Sequence, residues 1–187
     1  MAIRIYIDQG HNPENPNSGA EGNGYREQDL VYEIGQRTAA LLSADGFLVR
    51  LSRPEPDTQL GTSVSSSLAS RVNEANNWGA DYFISLHANS SEIPSASGTE
   101  AFVYRRNSEA EDLADALVLR ITEATGLLDR GVFARPGLYV LRKTRMPAVL
   151  VELGFITNIR DAELMADSPA LFARGIRNGL FTFLGQD

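Results

Sequence analysis

The sequence predicts a three-layer α/β/α domain built on a largely parallel sheet. Three observations carry that expectation. Short β-branched apolar runs alternate along the chain with amphipathic stretches of helical period. The runs are mostly apolar throughout, as strands covered on both faces must be, rather than polar at every second position. No internal repeat or low-complexity linker interrupts the alternation.

The elements follow in order. Ile3 to Asp8 is the first strand. From Glu27 to about Ala44 a helix places Leu30, Ile34 and Leu41 on one face, and Gly46 stops it. Phe47 to Arg53 is the second strand, after which Pro54 and Pro56 open a loop running through GTSVSSS. A helix from about Ser66 to Trp78 turns Leu68, Val72 and Ala75 inward. Asp81 to Asn89 and Gly98 to Arg105 read as strands. Ser108 and Glu111 form a capping-box pair ahead of a helix with Leu113, Leu117, Ile121 and Ala124 on its inner face. Gly137 to Arg142 and Pro147 to Phe155 complete the strands, and Thr157 to Leu164 is a short helix. Ser168-Pro169, a cap residue before a proline at the first helical position, opens the last helix, with Phe172, Ile176, Leu180 and Leu184 on one face.

Composition bounds the function. At 187 residues, 43% hydrophobic and 22% charged, the chain is expected to form one globular domain over residues 1–187. Its net charge of -7 argues against a nucleic-acid partner, which requires a basic face. With no cysteine, thiolate nucleophiles and cysteine-ligated metals are excluded, so any metal must be held by His and carboxylates. No apolar run approaches the length of a membrane span, and no basic-then-apolar leader precedes the first strand.

Three strands end in residues able to do chemistry. The first ends at Asp8 and delivers His11, the third ends at His87, and the last at Glu152. In parallel sheets ligands gather beyond the carboxyl ends of the strands, so these residues should share one edge, with Glu27 facing it from the following helix. His11 and His87 are the only two histidines in the chain. Two imidazoles, one carboxylate and an open position form a common catalytic zinc set, and a further carboxylate nearby serves as general base. Plainer readings stand beside this. A histidine after a strand is more often a hydrogen-bonded structural residue, Glu27 complements a helix dipole, and Asp8 forms a turn or orients His11. Glu152 is harder to dismiss, because a carboxylate between AVLV and LGF is costly unless it is paired or faces a cleft.

Four ordered blocks sharpen the choice: IDQGHNPENPNSGAEGNGYREQDL, SRVNEANNWGADYFISLHANS, GTEAFVY and RMPAVLVELGFITNIRDAELM. Together they resemble the zinc-dependent N-acetylmuramoyl-L-alanine amidases of bacterial cell-wall hydrolysis, from about Ile3 to Leu184. The resemblance implies a twisted, mostly parallel sheet of about six strands between helices. It implies zinc held by His11, Glu27 and His87, with Glu152 as general base for the metal-activated water. The bond cut would be the amide between N-acetylmuramic acid and the L-alanine of the stem peptide. Asp8, Asn89 and Glu100 are expected to support the ligands or touch substrate, and Arg142 or Lys143 to meet a stem-peptide carboxylate. One departure stands out: GHNPENPNSGA replaces the family's Gly-His-Gly-Gly, which alters the cleft wall beside a retained ligand. The expected partner is peptidoglycan or a muramyl peptide. The chain is expected to be a monomer without a membrane span, acting outside the cytoplasm at the cell wall, with a targeting or activating protein as a further partner. A zinc peptidase or carboxypeptidase of related fold, and a non-catalytic wall-binding module, are the competing readings. Serine chemistry lacks support, since no Gly-x-Ser-x-Gly elbow occurs.

Overall fold

The computed structural model describes residues 2–186, so the domain expected over residues 1–187 has its two end residues outside the described range. In chain order the elements are β1 (Arg4–Gln9), β2 (Glu21–Gly22), β3 (Tyr25–Arg26), α1 (Glu27–Ala44), β4 (Leu48–Leu51), α2 (Val64–Trp78), β5 (Tyr82–Asn89) and β6 (Thr99–Val103). They continue as α3 (Glu109–Thr125), β7 (Asp129–Ala134), α4 (Tyr139–Lys143), β8 (Ala148–Phe155), α5 (Ile159–Asp167) and α6 (Pro169–Leu184). The main sheet has six strands in the order β4-β1-β5-β8-β6-β7, while β2 and β3 form a separate two-stranded hairpin. Neighbours in the main sheet are parallel except β6 with β8. This is the mostly parallel six-stranded α/β fold expected from the sequence.

Strand alternation divides the interior into two layers. Ile5, Ile7, Ile84, Leu86, Val149 and Val151 point to the larger core, shared with α1, α3 and α6. Tyr6, Phe83, Leu150 and Phe102 point to the smaller one, covered by Val72 and Ala75 of α2 and Val140 and Leu141 of α4. No helix among the described residues is long and apolar enough to cross a membrane.

Several expectations need correction. Gly137 to Arg142 is not a strand: Leu138 leads into the single-turn α4, which buries Val140 and Leu141 beneath the sheet. A short apolar run satisfies either structure, and here the contact with α2 decides. The sixth strand is instead β7, at the sheet edge. Only Val132 of its residues is buried and Gly131 has φ +90, so the segment shows neither alternation nor an apolar run. In α1 the inner row continues through buried Leu42, while Leu41 is 39% exposed. The helix expected from about Ser66 starts at Val64, because Ser63 accepts from Ser66 N and caps it. At α3, Ser108 accepts from Glu111 N, but the Glu111 carboxylate turns to Asn107 N and Arg106.

Candidate metal centre

The strands β1, β5 and β8 lie side by side and end at one edge. Register places Asp8 beside Ser85, His87 beside Glu152, and Glu152 beside Glu100. Asp8, Ser85, Glu152 and Glu100 each lie two residues from an apolar side chain of the smaller core, respectively Tyr6, Phe83, Leu150 and Phe102, and His87 lies two residues beyond Ser85. That face is therefore apolar in its middle and ionisable at the carboxyl ends of the three parallel strands.

Local geometry then delivers the two candidate ligands that do not come from a strand. Beyond β1, Gly10 N donates to Leu86 O at 2.9 Å, which keeps the chain against β5. A Cβ on Gly10 would lie 2.6 Å from His87 Cε1, so only glycine leaves the imidazole its place. His11 follows with φ +66, a left-handed conformation that turns its ring over the edge. The β2–β3 hairpin returns the chain so that α1 begins at Glu27 beside both rings. Glu27 Oε2 accepts from Ala20 N at 2.9 Å and Oε1 from Ala88 N at 3.0 Å. Oε1 also lies 3.2 Å from His11 Nε2 and 3.0 Å from His87 Nδ1. The imidazoles meet edge to face with centroids 4.9 Å apart.

Donor atoms of His11, Glu27 and His87 all lie within 4.8 Å of one another. Burial alone would raise the Glu27 carboxyl, but hydrogen bonds with His11 and His87 outweigh it and hold the group well below the usual carboxylate range. Two imidazoles converge on one ionised oxygen, and that nitrogen–nitrogen–oxygen set fits a zinc ion. Glu152 faces the group from the next strand. Its Oε2 is sealed from solvent without a hydrogen-bond partner. Burial, then the charges of Glu27 and Glu100, push its carboxyl up to about 8 against the opposing pull of Arg135. Glu100 is itself anchored: Oε1 accepts from Asn89 Nδ2 at 2.9 Å and Oε2 from Arg130 Nε at 2.8 Å.

Asp8 does not reach the His11 ring. It accepts from Arg71 Nη1 at 2.7 Å and from Ser85 Oγ at 2.7 Å. Arg71 is the link: Nη1 also donates to Gln9 O at 2.6 Å, and Nη2 donates to His11 O and to Asn12 Oδ1. Sequence reasoning passed over Arg71. The available signal was its position among Leu68, Val72 and Ala75 on the inward face of α2, where a charge must find partners. The irregular segment after His11 is an ordered wall. Buried Asn12 donates to Pro16 O at 2.8 Å and Leu60 O at 2.9 Å, and Asn17 Nδ2 donates to Ser67 Oγ at 3.0 Å. A cavity of about 130 Å³ lies beside the histidines, walled by Leu68, Leu138, Tyr139, Val140 and Leu150. Arg142 is exposed and lines a different hollow, with Tyr104, Leu141 and Arg145.

Fold and site together define a class: an α/β domain with a His–Glu–His group that could hold a metal ion at the carboxyl edge of its sheet. Comparison with known proteins places it further. Residues 5–182 match the profile of the N-acetylmuramoyl-L-alanine amidase family, and the chain belongs to that family of enzymes. It is 34% identical over 183 residues to the sporulation-specific N-acetylmuramoyl-L-alanine amidase of Bacillus subtilis, covering 95% of this chain and 67% of that protein. To the LytC amidase of the same organism it is 38% identical over 160 residues, covering 84% of this chain but only 30% of that protein. Among solved structures, the catalytic domain of the CwlV amidase of Bacillus (Paenibacillus) polymyxa superposes with TM-score 0.85 at 32% identity, covering 99% of each chain. The amidase of Clostridium difficile 630 gives TM-score 0.88 at 28% identity, covering 100% of this chain and 98% of that one.

Proposed function

We propose that this domain hydrolyses the amide joining N-acetylmuramic acid to the L-alanine of peptidoglycan stem peptides. In this reading His11, Glu27 and His87 hold zinc and Glu152 is the catalytic acid–base group. The observation that carries it is the convergence of those three donors within 4.8 Å, beside a carboxyl group in register with His87. Zinc bound there supplies Lewis-acid polarisation of the scissile carbonyl and acidifies a water toward neutral pH.

The remaining chemistry belongs to the chain. Glu152 Oε2 has no protein partner, which leaves it available to take a proton from the attacking water. Burial, then the charges of Glu27 and Glu100, raise its proton affinity above that of an exposed carboxylate, which favours its holding that proton and passing it to the departing alanine nitrogen. Glu100, fixed by Arg130 and Asn89, keeps a negative charge opposite Glu152 and supports that proton affinity. Asp8 acts at one remove, fixing Arg71 and through it the His11 backbone. The same reading makes residues 1–187 one catalytic unit, monomeric and acting on the wall outside the cytoplasm, with a protein partner for targeting or activation.

The test separates ligand from acid–base group. Glu152→Gln should retain zinc and lose turnover of a muramyl peptide by about 10²–10⁴-fold. His11→Ala and His87→Ala should lose the metal along with activity, measured by elemental analysis of the purified proteins. Near-unchanged turnover in Glu152→Gln would falsify the assignment.

A further inference from the structure

Glu152 and Glu100 stand where the regular pairing of the sheet stops. Between β5 and β8, His87 pairs with Glu152 and the next pair is Asn89 with Phe155. β8 therefore carries one residue more than its neighbour over Leu153 and Gly154, which is a β-bulge. On the other side the β6–β8 ladder ends at Glu100 with Glu152, and the β6–β7 register shifts between Thr99 and Glu100. Strand pairing alone does not set the backbone that flanks these two carboxylates.

One buried side chain reaches both flanks. Asp161, in the first turn of α5, is fully buried. Its Oδ2 accepts from Phe155 N at 2.9 Å and from Gly98 N at 3.0 Å, and its Oδ1 accepts from Ser97 Oγ at 2.7 Å. It thus joins the end of β8 just past Glu152 to the chain entering β6 just before Glu100. Thr99 Oγ1 adds a bond to Leu153 O at 2.8 Å, on the residue next to Glu152. Gly154 permits the close approach, since a Cβ there would lie 3.2 Å from Asp161 Oδ2. In a regular strand a residue three beyond Glu152 would face the opposite way. With the bulge, the Phe155 ring lies instead against the Arg130 guanidinium, 4.9 Å from its centroid, and Arg130 is the cation that holds Glu100.

Burying a carboxylate is costly, and the donors that Asp161 meets are neutral, two amides and a hydroxyl. What those bonds accomplish together is to fix the backbone beside Glu152 and Glu100. The charges that act on Glu152 are those of Glu27, Glu100 and Arg135, so Asp161 works through the main chain and not through its field. We propose that Asp161 is a positioning residue, which holds the bulge that aims Glu152 at the metal group and keeps Glu100 beside it. This role rests on the amidase reading above. It is geometric, so asparagine can reproduce it: the amide oxygen accepts from both backbone N–H groups and the amide nitrogen donates to Ser97 Oγ. Alanine can do neither.

The test compares Asp161→Ala, Asp161→Asn and Thr99→Val with wild type on a synthetic N-acetylmuramoyl peptide, at a temperature where each protein is folded by circular dichroism. Ile176→Ala, which opens the larger core on α6, serves as a control for lost stability. Asp161→Ala should lower kcat by about 10²-fold, the scale of a misplaced catalytic group, with KM and zinc content by elemental analysis unchanged. Asp161→Asn should keep kcat within about threefold of wild type. Thr99→Val should lower kcat by about three- to tenfold, the scale of one neutral hydrogen bond, and it decides the matter if Asp161→Ala does not fold. Ile176→Ala should turn over as wild type does. Wild-type kcat in Asp161→Ala or Thr99→Val, or a change confined to KM, overturns the inference while leaving the amidase reading intact. So does Asp161→Asn as slow as Asp161→Ala, or Ile176→Ala slowed equally. Wild-type protein that does not cut the lactyl–alanine bond overturns both readings.

Discussion

Replacing Arg71 by methionine removes the cation that ties β1 to the loop carrying His11. Arg71 and Asp8 are each about 1% exposed at the side chain, so water cannot substitute for either partner. Asp8 would keep only the Ser85 hydroxyl, while Gln9 O, His11 O and Asn12 Oδ1 would each lose a donor. Breaking a buried pair in this way costs about 3–5 kcal/mol. A domain of this size loses about 2–4 °C of Tm per kcal/mol, so Tm should fall by about 6–20 °C. Adding Asp8→Asn removes the uncompensated charge, so the double variant should be more stable than the sum of the single losses by about 2 kcal/mol. Urea denaturation of the four proteins measures that coupling. Zinc binding should weaken in Arg71→Met by about 10–100-fold, the usual effect of losing a group that orients a ligand. Additive single losses, within about 0.5 kcal/mol, would contradict the buried pair. An Arg71→Met protein with unaltered zinc affinity would refute the argument that Arg71 positions His11.

Two further outcomes follow from the same geometry. Gly10→Ala places a Cβ 2.6 Å from the His87 ring, so it should lose about 1–3 kcal/mol of stability and bind zinc more weakly; unchanged affinity by calorimetry would contradict the close approach. Burial alone would raise the Asp8 carboxyl, but Arg71 and Ser85 outweigh it and hold the group below its ordinary 3.8. A depressed folded value means that the stabilisation is complete above the unfolded pKa and is lost as pH falls through the folded one. Wild-type Tm should therefore drop steeply below about pH 4, while Asp8→Asn starts lower at neutral pH and falls less steeply; parallel curves would exclude Asp8 as a source of the acid sensitivity.

Much of this architecture was legible because it is written in period and position. Ile3 to Asp8 and Asp81 to Asn89 are apolar runs that end in polar residues, Pro147 to Phe155 is an apolar run broken only by Glu152, and the strands they predict are β1, β5 and β8. Their parallel neighbourhood then follows, and with it the shared edge of His11, His87 and Glu152. Elements whose residues face mostly solvent were harder. The edge strand β7 buries Val132 alone, and α4 looks like a strand because its two buried residues follow two other apolar ones. The route from Asp8 to His11 was illegible for another reason. It runs through Arg71, distant in sequence, to a backbone carbonyl, and no motif records a hydrogen bond to the main chain. Similarly, NPENPNS looks like a flexible insertion until buried Asn12 is seen to bind Pro16 and Leu60. The displacement of Arg142 to another hollow follows directly from the misread strand, because a helical turn sends that side chain away from the histidines.

The central claim is that His11, Glu27 and His87 form a zinc site that cuts the lactyl–alanine amide. Digestion of purified peptidoglycan, with products identified by mass and new amino termini assigned, tests it directly. The account predicts free L-alanine amino termini on intact stem peptides, abolished by a chelator and restored by added zinc. Cleavage between amino acids within the stem, or cleavage at alanine that persists undiminished after complete metal removal, would contradict it.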